Sequence, residues 1–240
     1  EEKYIPNNHF KSNLNKFEMD LPTHRYAYSS TPNWSDKKGV YEESGIIEEA
    51  MVTCILPYVK TAREAIARFA KIIKGHTAGE SDGILFADPK EAWYFEIGTA
   101  HYWVAQRIPD DCYAVAANEL AIQEIDFNDS DNFITVPGLQ KFVEEHNLWP
   151  NNKPFNWRRI FGTHNLLDLT YNTARVWTGQ RILSPSIKQE PSSFDIPFIQ
   201  KADHPISITY AQRVLRDHYD GTKYDVANPV NKDTAVYRPI

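Results

Sequence analysis

The sequence predicts an α+β fold in which strands and helices are segregated along the chain. Three observations carry this. Between residues 83 and 117 four short apolar runs follow one another, with breaks too short to hold a crossover helix. One strongly periodic helix precedes them, and the segments after residue 137 are mostly helical. The resulting order of strands, helix, sheet and helices gives layers, not alternating βαβ units.

Residues 1–46 carry prolines at 6, 22 and 32 and no helical period; short alternations such as Arg25-Tyr26-Ala27-Tyr28-Ser29 read as strands. A helix is expected from Pro57 to Gly75. Thr61 and Glu64 give it a capping box, and Ala62, Ala65, Ile66, Phe69, Ile72 and Ile73 give it one apolar face. Gly75 is the expected residue just past its end. Strands follow at Gly83–Ala87, Ala92–Ile97, Tyr102–Ile108 and Cys112–Ala117, with a turn at Asp88-Pro89-Lys90-Glu91. Together they read as one four-stranded antiparallel sheet. Helices are expected at Gly138–His146, Asn156–Phe161, Thr173–Leu183 and Thr209–Tyr219. The last has a second capping box at Thr209 and Gln212 and a stop at Gly221, and Ser184–Pro197 is a proline-bearing loop.

A chain of 240 residues, 42% of them hydrophobic, can bury a substantial core. The formal net charge of −6 and the lack of any Lys/Arg run argue against a nucleic-acid partner, which needs a basic stripe. No apolar run approaches the roughly 18 residues of a membrane span. Two cysteines, Cys54 and Cys112, make no disulfide framework and point to a reducing, cytoplasmic setting. The eight histidines show no H-x-x-x-H pair and no carboxylate cluster completes a metal site; no phosphate loop or G-x-S-x-G elbow occurs either. No metal and no cofactor are expected. The aromatic-rich segments leave homo-oligomer formation open.

Cys112 invites attention as a nucleophile, but it follows Asp110 and Asp111, which oppose thiolate formation, and it opens a strand, where it should point into a packed layer. Cys54, in the apolar run Met51–Leu56, reads as core. Asn118 lies past Ala116-Ala117, where small residues admit a ligand. A fixed carboxamide there can donate to a developing oxyanion, although the pattern by itself favours a turn asparagine. Arg175 stands near a helix start, where the dipole does not call for a cation, and can hold an anion or be a solvated surface residue. His164, in the tight stretch Phe161-Gly162-Thr163-His164-Asn165, is the best candidate among the histidines.

Several runs together carry a family resemblance: Leu56–Glu64, Glu91–Gly98, His101–Asp111, Tyr113–Asn118, Ile122–Phe127, Phe161–His164 and Tyr171–Arg175. Across nearly the whole chain the sequence resembles the dipeptidase A (PepD) family of N-terminal-nucleophile (Ntn) hydrolases. The resemblance implies a four-layer α-β-β-α sandwich with two antiparallel sheets, here as a single domain over residues 1–240. It implies hydrolysis of dipeptides with broad specificity through an acyl-enzyme, by a cysteine at the mature N-terminus whose own α-amino group is the base. Asn118 and Arg175 match the family's catalytic asparagine and arginine, and His164 and Asn172 are carried as substrate-binding residues. The sequence departs from the family in beginning at Glu1. The nucleophile segment is expected before Glu1, a further segment near Ile46-Ile47, and a C-terminal part beyond Ile240. Two other functions remain open: an Ntn acylase of the penicillin or bile-salt amidase type, with Trp93, Tyr94, Phe95 and Trp103 lining an acyl pocket, and a non-catalytic peptide-binding protein.

Overall fold

The computed structural model describes residues 45–164, 168–225 and 227–231. The strands expected in residues 1–46, such as that at 25–29, lie outside these up to residue 44. By their contacts the residues divide into two compact units, Glu1–Pro109 with Ile122–Thr163, and Asp110–Ala121 with His164–Ile240.

Among the described residues of the first unit, the first helix is α1, Glu48–Ile55. Glu48 and Glu49 stand in its first turn, where carboxylates meet the positive end of the dipole. Its buried side is Met51 and Ile55, one turn apart, so Cys54 falls beside that line and is half-buried, not core as expected. A 3₁₀ turn at Leu56–Tyr58 then leads to α2, Ala62–His76. Thr61 caps α2 by accepting from the Glu64 N–H at 3.1 Å. The return bond of the capping box is displaced by one residue, for Glu64 Oε2 accepts from the Lys60 N–H at 2.7 Å. The expected stop at Gly75 is corrected too. The helix continues through His76 and ends at Thr77, with φ 60°. Its end is set by chain on both sides of the helix: the Ile46 N–H donates to Thr77 O, and the Ala78 N–H donates to Ala100 O.

The sheet of this unit has the order β1-β2-β3-β5, all neighbours antiparallel: β1 Gly83–Ala87, β2 Ala92–Thr99, β3 Tyr102–Ile108 and β5 Phe133–Thr135. The expected fourth strand at Cys112–Ala117 is therefore a correction. Only Tyr113–Ala114 (β4) is a strand there, and it belongs to the second unit. Pro109 has no N–H with which to extend the β3 ladder. The edge of β3 is taken instead by β5, which pairs Gln106 with Phe133 and Val104 with Thr135.

β2 is buried along nearly its whole length, so both faces of the sheet are covered. Trp93, Phe95 and Ile97 meet the apolar face of α2, with Phe69 and Phe95 ring centroids 5.0 Å apart and Phe95 stacked on Trp103 at 4.7 Å. These aromatics, like Tyr94, are buried core residues. On the other face Gly98 lies against the short helix α4, Trp157–Phe161, which Asn156 caps by accepting from the Arg159 N–H. A Cβ at Gly98 would stand 2.6 Å from Trp157 Cζ2, so the helix can sit this close only on a glycine. Before it comes α3, Leu139–Glu145, whose N-cap Gly138 takes φ 87°, a conformation that suits glycine.

In the second unit β4 pairs antiparallel with β6, Ile199–Gln200. Ser184 Oγ donates to Lys201 O, which leaves its lone pair for the Tyr113 hydroxyl at 2.8 Å. α5, Thr173–Leu183, matches its expected bounds and is buried on most of its sides. Gly179 lets Val115 and Val214 approach. Helix α6, the last α-helix among the described residues, spans Ile208–Arg216 and is capped by Ser207, which accepts from the Tyr210 N–H, not by Thr209 as expected. It stops before Tyr219, whose φ is 68°. The described residues form an α+β fold with two antiparallel sheets.

Candidate functional site

Asn118 lies in the second unit, exposed, in the loop that follows β4. α5 is entered through a π-helical turn, Asp168–Asn172. Such turns are rare and recur at functional sites. Asp168, Asn172 and Arg175 are spaced four and three residues apart, so successive helical turns stack them on one face. Arg175 Nη2 donates to Asn118 Oδ1 at 2.9 Å and to Asn172 Oδ1 at 2.6 Å, while its Nε donates to Tyr171 O at 3.2 Å. The guanidinium also lies over the Tyr171 ring at 4.3 Å. Asn172 Nδ2 donates to Asp168 Oδ1 at 2.7 Å and to the Asn118 backbone carbonyl at 2.9 Å. A further tie at the base of the loop runs from Thr173 Oγ1 to Glu119 Oε2 at 3.1 Å. Burial pushes the nearby Tyr219 phenol up to about 12, with the Arg175 charge pulling the other way, so it stays neutral at physiological pH.

The types of partner fix both amides. Arg175 only donates, so it must face the oxygen of Asn118 and the oxygen of Asn172. A carboxylate and a carbonyl accept, so they must face Nδ2 of Asn172. With its oxygen held by Arg175 and its side chain exposed, Asn118 has its two N–H groups left to meet a ligand.

Three of the four expected site residues are thus brought together. Arg175 holds amide and carbonyl oxygens where an anion was one expectation. Asn172, expected to touch substrate, is only 3% exposed. None of the bonds that join the three involves His164, whose ring packs on Phe194 at 4.3 Å. Asp168, 1% exposed, was not anticipated. The signal that finds it is the run Asp168-x-x-x-Asn172-x-x-Arg175, three polar residues on one helical face. Cys112 is half-buried, not packed away. Burial and then the Asp111 carboxylate, which accepts from its thiol at 3.5 Å, raise its pKa above the ordinary thiol range.

Among the described residues, His218, Asp220 and Asp225 form the group with ligand atoms close enough to hold a metal, within 4.8 Å of one another. His218 Nδ1 already meets Asp225 Oδ1 at 2.8 Å, and that contact raises the histidine's pKa. A cavity of about 580 Å³ runs along α6 beside Arg181, Arg213, Arg216 and His218. Asn118, Asp168, Asn172 and Arg175 are not among its lining residues.

Comparison with known proteins supplies the context for this cluster. A probable dipeptidase of Latilactobacillus sakei is 41% identical to the chain, covering 96% of it and 55% of the relative. A probable dipeptidase B of Lactococcus lactis is 34% identical, covering 97% and 56%. Dipeptidase A of Lactobacillus helveticus is 36% identical, covering 82% and 42%. The chain spans about half the length of the curated relatives it matches. The model of peptidase family C69 matches residues 42–240, the whole of the asparagine–arginine cluster included, and the chain belongs to that family.

Proposed function

We propose that the intact protein is a dipeptidase that works through an acyl-enzyme, with Asn118 as oxyanion donor. The observation that carries this is the exposed Asn118, whose side-chain oxygen is bonded to Arg175 at 2.9 Å, which leaves its N–H groups as the donors for a ligand. In this reading the family's N-terminal cysteine attacks the dipeptide carbonyl after its α-amino group takes the thiol proton. Carbonyl oxygen becomes an oxyanion, and the Asn118 N–H groups donate to it. The same amino group then protonates the leaving amine, and water hydrolyses the thioester. Arg175 holds the amide in place from behind. The finer fold, a four-layer α-β-β-α sandwich, belongs to this proposal and is supported by the α+β content and the two antiparallel sheets. So does a cytoplasmic location, for Cys54 and Cys112 are free thiols and no helix among the described residues is long and apolar enough to cross a membrane.

The test is turnover of unmodified dipeptides by the intact protein and its Asn118→Ala variant. Loss of one oxyanion donor is expected to lower kcat by about 10²–10³-fold. Unchanged kcat overturns the role of Asn118. Turnover of N-acyl amides in preference to dipeptides would instead support an acylase, and binding without turnover a peptide-binding protein.

A further inference from the structure

We propose that Asp168 is a positioning residue for the reaction, acting through Asn172 to hold Arg175 and Asn118 in the orientation that turns the Asn118 N–H groups toward substrate. The inference rests on the reading of Asn118 as oxyanion donor.

An asparagine side chain is nearly symmetric in shape, so sterics alone do not decide which end is oxygen. Hydrogen-bond partners decide it. At Asn172 the Asp168 carboxylate and the Asn118 carbonyl both face Nδ2, at 2.7 and 2.9 Å. Flipping this amide would set its oxygen against two acceptors and its N–H groups against a guanidinium. Asp168 and Asn172 are almost wholly buried, at 1% and 3% exposure, so water does not substitute for these bonds. With Asn172 locked, its Oδ1 fixes Arg175 Nη2, and the same nitrogen fixes Asn118 Oδ1. The order of control is carboxylate, amide, guanidinium, amide. Each link is a donor facing an acceptor, and the last link sets which end of Asn118 is presented. Asn172 is accordingly a relay behind the site, and its burial agrees with that role. Removing Asp168 leaves a buried Asn172 N–H without its acceptor, frees the first link to rotate, and loosens a donor whose placement matters on the scale of 1 Å.

The experiment is a double-mutant cycle on dipeptide turnover by the intact protein, with Asp168→Ala, Asn172→Ala and the double variant, and Asn118→Ala measured alongside. Each of the first two is expected to lower kcat by about 10- to 100-fold with KM changed less than about twofold. The double variant should lose no more than the more damaged single, because both act through one chain of contacts. Asp168→Asn keeps an acceptor oxygen for Asn172 Nδ2, so it should recover at least about tenfold of the kcat lost in Asp168→Ala. Asp168→Leu, close in size and without an acceptor, replaces the alanine in the cycle and in the comparison with Asp168→Asn if Asp168→Ala does not fold. Additive losses, or an Asp168→Asn variant as slow as Asp168→Ala, overturn the positioning role while a slow Asn118→Ala leaves the oxyanion reading standing. A fully active Asn118→Ala overturns that reading itself.

Discussion

Asp82 gives the most direct physical test of the first unit. It stands just before β1, and its Oδ2 is enclosed without a hydrogen-bond partner. Burial is the first cause that raises its carboxyl to about 7; the charges of Glu80, Glu48 and Glu49 add to it. Burial, and after it the charges of Glu96 and Asp82, hold the Tyr94 phenol above its ordinary range. The unfolded carboxyl titrates near 3.8. The folded state therefore binds its proton more tightly, and the sign follows: the contribution is whole below about 3.8 and is lost as pH rises through about 7. A shift of about three units, at about 1.4 kcal/mol each, sets a ceiling of about 4 kcal/mol on that loss. Asp82→Asn removes the titration while keeping the shape. Its buried N–H groups add an offset of about 1–3 kcal/mol that does not vary with pH. Thermal or denaturant unfolding of the intact protein and the variant from pH 4 to 9 gives the readout. The wild type minus variant difference should fall steadily between about pH 4 and 7.5 and be flat above. A difference that is constant with pH refutes the placement of Asp82 in an enclosed, acidic environment.

Other predictions follow from the same contacts. Gly98→Ala drives a methyl into Trp157 Cζ2 at 2.6 Å and should cost about 1–3 kcal/mol in denaturant unfolding; a neutral result would mean that α4 does not press on β2. Arg175→Lys cannot reach Asn118, Asn172 and the Tyr171 carbonyl together, so kcat for dipeptides should fall by about 10- to 100-fold, whereas wild-type turnover would show that charge alone suffices. Cys112→Ser should keep wild-type kcat because the thiol is held protonated by burial and Asp111; a dead variant would restore it as a nucleophile candidate.

The sequence was most legible where local chemistry and packing agree. Thr61 and the apolar face of α2 announce that helix, and Thr173–Leu183 is found to the residue. It misled where a partner far along the chain decides the outcome. Nothing near Cys112 says that the edge of β3 will be taken by Phe133–Thr135, since strand pairing is a competition among edges. Helix α1 was missed because a short apolar run reads equally well as a strand, and only Glu48-Glu49 before it marks a helix start. At the site, Asn118 and Arg175 were visible as types in a matching motif. Asp168 was not, because it touches the site only through Asn172, and the run Asp168-x-x-x-Asn172-x-x-Arg175 reads as one face only once a helical turn is placed before Thr173.

The arrangement around Asn118 also bears on why a dipeptidase would put its arginine behind an amide. Both products of the proposed reaction are amino acids, each with a free carboxylate. A guanidinium facing the reacting carbonyl would stabilise an oxyanion, but it would hold those products by charge as well. Here Arg175 spends its Nη2 and Nε on oxygens of the protein: Asn118 Oδ1, Asn172 Oδ1 and Tyr171 O. Its field reaches the substrate side through the Asn118 amide, which it polarises along the donor direction. The donor that meets the substrate is then neutral, fixed in direction and stronger than an isolated amide. It favours the oxyanion of the transition state by position. In this view the carboxylate of Asp168 completes the design. It orients Asn172 from two hydrogen bonds behind Arg175, so the direction of the whole chain of contacts is set from the buried end.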